Sequence, residues 1–363
     1  MGQTAARAAA TTLAAAFLMA LLVYAPVAQA ASLPLGSGTT RVLFTSAFRD
    51  ALRRDGIFVK SLGPAAVKGR QLTLPVTSGS YDRWAEEAVF AHGGGFKLVG
   101  PDGAVAVRKL RLDPEAKSLS AVVAGRRIRF AALVGAELER EGFDARLEVR
   151  SLRLTGAGAG ALNRVFGPRM FRSGRLLGLA ETLAETSELE PGFGKFSLGG
   201  PDTTFSRLRS MGVEMGLWGS SEAWGEGAEK SFLFPIEPAR IASDLSAGVI
   251  DGGQRSGVTM QKYESSPREM LLLHPRIDLA TRALDATLSP LSTEGAVTGT
   301  IATLDFGTAR IQFRARIGAL EVMGVRAVST QFMADQLNER LSAPGTFQAG
   351  ETLALMSINL SAA

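Results

Sequence analysis

Residues 72–95, "LTLPVTSGSYDRWAEEAVFAHGGG", hold one of the chain's two histidines, one of its three tyrosines and one of its three tryptophans. His92 stands directly before Gly93, Gly94 and Gly95. An imidazole there is a candidate ligand. Tyr81 offers an oxygen donor, and Trp84 a stacking wall. Three glycines remove side-chain bulk and open backbone angles that other residues avoid, so a planar ligand or another strand can approach closely. The same glycines also serve a plain bulge or wide hairpin, where an exposed histidine costs nothing. Ligand contact and structural turn are therefore the two readings of His92, and the residues by themselves favour the turn.

Other chemistry has less support. "HGGG" is similar to the oxyanion-hole loop of some lipases, but the chain has no G-x-S-x-G elbow, which leaves an extracellular hydrolase as a remote alternative. Two histidines far apart in sequence do not supply a zinc or iron centre, and without cysteine there is no thiolate site. Asp113 with Glu115, and Asp278 with Asp285, are too sparse for a calcium loop. His274, in "LLLHPRIDL", reads as a satisfied structural histidine in a strand. With no local polar constellation for turnover, the chain reads as a non-enzymatic binding or scaffolding protein.

The elements that must position these residues are mostly strands. "RQLTLPV", "FKLV", "AVAVRKLRLD", "SLSAVVAGRRIRFAAL" and "ARLEVRSLRL" alternate apolar and polar residues, with glycine-bearing breaks such as "GPDG" between them. Short helices are expected at residues 46–53 (Phe48 and Leu52 on one face) and 159–166 (Leu162, Val165 and Phe166). A third lies in "TQFMADQLNERL", where Met333, Leu337 and Leu341 align and Thr330 is placed to cap. Gly174 and Gly350 then end the turn before a closing strand.

A duplication organises the whole chain. "LTLPV" at 72–76 returns as "FLFPI" at 232–236, which matches Pro75 to Pro235. "RLDPEAKSLSA" at 111–121 is echoed by "RIDLATRALDA" at 276–286, and "LNRVFGPRMFRSG" at 162–174 by "LNERLSAPGTFQAG" at 337–350. Ordered matches whose separation grows slowly describe a diverged repeat with small loop insertions. The counterpart of His92 falls at Asp251 or Gly252, so Gly252 and Gly253 repeat the glycine turn without the histidine. The expected fold is mainly β: two tandem repeats of an antiparallel β-sandwich or rolled-sheet domain with short helices. The units are expected at 36–187 and 202–361, packed across a limited interface, with 188–201 as a loop-like linker rich in acids, glycine and proline.

Residues 1–30 read as a signal peptide: Arg7 in a basic start, an apolar run, then Ala28, Gln29 and Ala30 as a small-x-small site. Beyond it no segment stays apolar for about eighteen residues, so no transmembrane span is expected in the mature chain. The chain is thus expected to be secreted or extracytoplasmic, with attachment to the cell envelope as one option and an extracellular or cell-surface ligand as its partner. A protein partner is the other option. The formal charge is +5, with basic residues densest around Lys109, Arg111, Arg126, Arg127, Arg129, Arg164, Arg169, Arg172 and Arg175. Such residues usually form a solvated face. Nucleic-acid binding, which needs a denser stripe or an aromatic platform, is not indicated.

With these pieces assembled, "SAFRDAL" at 46–52, then "LTLPVTSGSYDRWAEEAVFAHGGGFKLVGPDGAVAVRKLRL", resembles the HtaA-type domain of actinobacterial secreted and cell-surface proteins. The order of opening helix, strand, glycine-tyrosine turn and GH-x-G segment is similar, and "LTGAGAGALNRVFGPRMFRSGRLLG" resembles the terminal helix-turn of related repeats. The resemblance implies haem binding through a tyrosine near the opening helix and a histidine in the GH-x-G region. His92 matches that histidine, but the tyrosine position falls at Ala51, whose methyl cannot ligate iron. The haem reading would therefore use His92, Tyr81 and Trp84, with Arg126 and Arg127 as charge partners. Residues 72–76 are expected as a core strand, 77–80 as a turn and 88–91 as the next strand. Pro75 is expected at an edge or irregularity, and His92 at an accessible sheet rim.

Overall fold

The computed structural model describes residues 32–82, 85–237, 239–263, 268–290 and 295–362. The signal segment and Trp84 lie outside them. The first repeat opens with β1 (Leu33–Phe44) and α1 (Ser46–Arg54). Then come β2 (Phe58–Leu62), β3 (Ala66–Lys68), β4 (Gln71–Asp82), β5 (Glu87–His92), β6 (Gly95–Gly100) and β7 (Gly103–Asp113). It continues through β8 (Ser118–Val123), β9 (Arg126–Glu141), β10 (Asp144–Leu154), α2 (Gly156–Phe166) and β11 (Leu176–Thr186). All pairings among them are antiparallel.

Strand alternation becomes a barrel because the ladder closes on itself. β4, β5, β7, β8, β9, β10, β11 and β1 pair in that order, and β1 pairs back onto β4. The inward set includes Val42, Leu72, Leu74, Phe90, Val107, Leu147 and Val149, all buried. β6 extends the line of β5 along the same edge of β7, and β2 covers β6. The rolled-sheet expectation is met by this closed form, which leaves no open edge around the ring.

The second sheet repeats the plan. Its path runs Val213–Gly219, Ser256–Lys262, Arg268–Asp278, Ala283–Ser289, Val297–Asp305, Ala319–Ser329, Thr352–Ala362, Pro191–Gly199, Ser231–Pro235 and Glu222–Trp224. Helices α3 (Thr204–Ser210) and α4 (Gln331–Arg340) correspond to α1 and α2. Local detail confirms the duplication. Thr155 caps α2 by accepting from the Gly158 amide, and Thr330 caps α4 by accepting from Met333. Eight residues on, Asn163 clamps the backbone of Phe171, as Asn338 does that of Phe347. Lys109 and His274 both hold left-handed backbone (φ 50° and 51°) at a bulge.

Three placements differ from the sequence reading. Residues 77–80 are not a turn, because β4 continues through them with β1 on one side and β5 on the other. Polar "TSGS" suggested a loop, but Gly79 is there to admit the backbone: a Cβ would sit 2.0 Å from the Val89 carbonyl. Residues 188–201 hold the strand Pro191–Gly199, paired on both sides inside the second sheet. The repeats also share more than a limited interface, since Leu33–Ala363 forms one compact unit and Phe143, at the β9–β10 turn, enters the second core.

Pro75 lies inside the sheet at an irregularity. Its carbonyl accepts from Gly93 (3.0 Å), so its missing N–H faces the same side of β4. That side is where β3 has ended and β5 begins, and no ladder bond to β1 is lost. Among the described residues no helix is long and apolar enough to cross a membrane.

Candidate functional site

His92 ends β5, opposite Val76 on β4. Val76 faces the barrel interior, so its partner does too, and His92 is only 5% exposed. The accessible rim position expected from the sequence is not where it lies. Its Nδ1 donates to the Leu110 carbonyl (3.1 Å), which can only accept, so the Nε2 of the neutral ring accepts from Thr40 Oγ1 (2.6 Å). Thr40 Oγ1 in turn accepts from Thr182 Oγ1 (2.7 Å), directly across the β1–β11 ladder. Thr182, Thr40, His92 and Leu110 thus form one satisfied chain inside an apolar barrel.

Burial pushes the His92 imidazole down to about 4, and the bond to Leu110 only partly opposes this. The ring is neutral near pH 7, with both nitrogens engaged by neutral partners. A group so placed is a poor base, and binding a metal would cost it an internal hydrogen bond.

The glycines explain how the histidine turns inward. β5 and β6 share one edge of β7, and the chain kinks between them beside the Lys109 bulge. Gly94 has φ 73°, and a Cβ there would lie 2.4 Å from the Leu62 carbonyl and 2.6 Å from the Ala65 nitrogen. What approaches closely at this turn is backbone of the same chain.

The second repeat supplies an internal control. Leu110 follows Lys109 as Pro275 follows His274, and the Gly252 amide donates to the Pro275 carbonyl (2.9 Å). Gly252 therefore stands for His92. Phe196 pairs with Phe234 and Ile358, as Thr40 pairs with Leu74 and Thr182. A Cβ on Gly252 would come within 2.9 Å of the Phe196 ring. A buried phenyl ring, stacked on Phe234 at 5.0 Å, thus occupies the region that the polar chain fills in the first repeat.

Among the described residues, the other sequence-derived candidates do not gather around His92. Tyr81 is buried in the same core, but it pairs with Ala88, four residues down β5, about 13 Å from His92 along the strand. Arg126 and Arg127 are exposed at the start of β9, where Arg127 donates to Ser120 (3.0 Å). Ala51 is buried on α1. His274 lies in the strand Arg268–Asp278, as expected, and is exposed, lining a shallow depression of about 520 Å³ with Asp251, Arg276 and Asp285. Among the described residues no group of three or more His, Asp or Glu could hold a metal ion.

A concave site lies elsewhere on the first repeat. Between β7, the end of β8 and α2 is a cleft of about 470 Å³. Ala106, Val122 and Val165 contribute to its walls, and Arg108, Lys109 and Arg164 to its rim. In the sequence Lys109 and Arg164 belong only to a general basic excess. Their convergence depends on α2 crossing back over β7, which no local pattern announces.

No family model matches the chain, and no curated protein matches it. Among solved structures, it is similar to the C-terminal domain of HtaA from Corynebacterium glutamicum. The identity is 16% and the TM-score 0.36, over 42% of this chain and 99% of that domain. It is also similar to the heme binding protein HtaB from the same organism, with 14% identity and a TM-score of 0.30 over 48% of this chain and 95% of that one.

Proposed function

We propose that the chain is an extracytoplasmic, non-catalytic binding protein made of two HtaA-like β domains, 36–187 and 202–361, with Pro191–Gly199 counted in the second. Small-molecule contact falls to the first. The observation that carries this reading is the cleft of about 470 Å³ between β7, β8 and α2, which joins a mostly aliphatic lining to three cationic side chains with no carboxylate among them. The sealed polar chain at His92 belongs to the fold. A ligand held by the folded chain raises its melting temperature, and Val165→Trp, which fills the cleft, is expected to abolish that rise. Turnover of a substrate by the purified chain, lost on one polar substitution, would contradict the reading.

Haem in the first domain is the reading that the family resemblance implies. The residues do not fit it as axial donors: His92 is enclosed with both nitrogens bonded, and the tyrosine position is Ala51. Haem titration of the full chain is expected to give no saturable Soret change that depends on His92. A saturable change removed by His92→Gln would restore the haem site.

A further inference from the structure

We propose that the β7–α2 cleft binds a small organic carboxylate with an aliphatic body, held at its head by Arg108, Lys109 and Arg164. The inference rests on the reading of the first domain as a binding module and names its ligand class.

Charge is the first argument. Arg108 and Lys109 on β7 and Arg164 on α2 border one cleft, and no carboxylate lines it. All three are exposed, and none of their side chains has an ion-pair or hydrogen-bond partner among the described residues. The cleft therefore carries three positive charges that no carboxylate in its lining offsets. A carboxylate head would supply the missing counter-charge and accept charge-assisted bonds from either guanidinium.

The walls give the second argument. Ala104, Val105, Ala106, Val122, Ala161 and Val165 present aliphatic surface, and neither an aromatic face nor an imidazole or phenol lines the cleft. Such a lining suits a saturated chain and offers no donor to a metal-centred macrocycle.

The duplication gives the third. Thr155 and Thr330 cap equivalent helices, so Arg164, nine residues after its cap, corresponds to Glu339, and Val165 to Arg340. The matched bulges place Leu273 where Arg108 stands and His274 where Lys109 stands. Ala161 corresponds to Gln336, and in the second repeat Arg340 Nε donates to Gln336 Oε1 (2.7 Å) in the region of the apolar wall. The second repeat builds the same fold with Leu273, His274 and Glu339 at these positions and a polar pair on the wall. The cations of the first repeat are therefore not a requirement of the fold.

Isothermal titration of the full chain with dodecanoate, and with dodecyl maltoside as a neutral amphiphile, tests the assignment. Saturable dodecanoate binding is expected, weakened roughly tenfold or more by Arg164→Glu and by raised salt, and lost in Val165→Trp. Equal binding of both probes, insensitive to Arg164→Glu but lost in Val165→Trp, would overturn the carboxylate assignment and leave the cleft as a binding site. Absence of saturable binding by either probe would overturn the cleft itself.

Discussion

Phe143→Ala is expected to lower the stability of the chain by about 3–5 kcal/mol, the range for truncating a buried phenylalanine. The residue sits on the β9–β10 turn of the first repeat, yet its side chain belongs to the core of the second. Its ring stacks on Phe313 (centroids 6.0 Å apart), and its amide donates to the Ala315 carbonyl (2.8 Å). Its own carbonyl accepts from Thr186 Oγ1 (3.1 Å). Removing the ring leaves a void that these backbone bonds keep from collapsing. Urea unfolding of the full chain should therefore show the loss and broaden toward two transitions, as the barrels uncouple. A loss below about 1 kcal/mol would mean that the barrels are held together by something else.

Acidification gives the second large effect. Between pH 7 and pH 4 the stability advantage of the native chain over His92→Gln is expected to shrink by about 3 kcal/mol. In the folded chain the ring resists protonation until about pH 4, whereas in the unfolded chain it protonates near its ordinary value of 6.5. Above that value neither state holds the proton, and stability is full. As the pH falls through the window the unfolded state binds more protons, so stability falls. Asp144 works in the opposite sense. Burial, with Glu185 and Glu141 nearby, holds its carboxyl up to about 6, against the pull of Arg316. Its proton enters the folded state first, which stabilises the chain on acidification between pH 6 and 4. The profile of the native chain alone therefore mixes opposing contributions. The difference from His92→Gln at each pH cancels Asp144 and isolates the histidine.

Much of this architecture was legible in the sequence because strand alternation and ordered repeats are local signals. The opening-helix and late-helix positions, the Thr330 cap and the strand at 88–91 follow from spacing alone. β1 was harder to see. "GSGTT" shows no apolar alternation, and Thr40 faces inward only because partners 52 and 142 residues away satisfy its hydroxyl. His92 is buried for a like reason: Thr40, 52 residues away, and the Leu110 carbonyl, 18 residues away, satisfy its ring. An imidazole before three glycines looks exposed until a bulge at Lys109 directs the Leu110 carbonyl toward it. Nothing in "EGFD" reveals that Phe143 enters a second core. The basic cleft was hidden for the same reason: Arg108 and Arg164 are 56 residues apart and meet only when α2 folds over β7.

The central claim is that His92 is part of the barrel's internal structure and that ligand contact lies outside it. With two histidines in the chain, ring NMR of the isotope-labelled protein, assigned with His92→Gln, reads this directly. The account predicts that the His92 ring stays neutral down to about pH 5, with its proton on Nδ1, and that its signals do not move when haem or dodecanoate is added. A ring that titrates near 6.5, or that shifts or broadens on addition of haem, would contradict it.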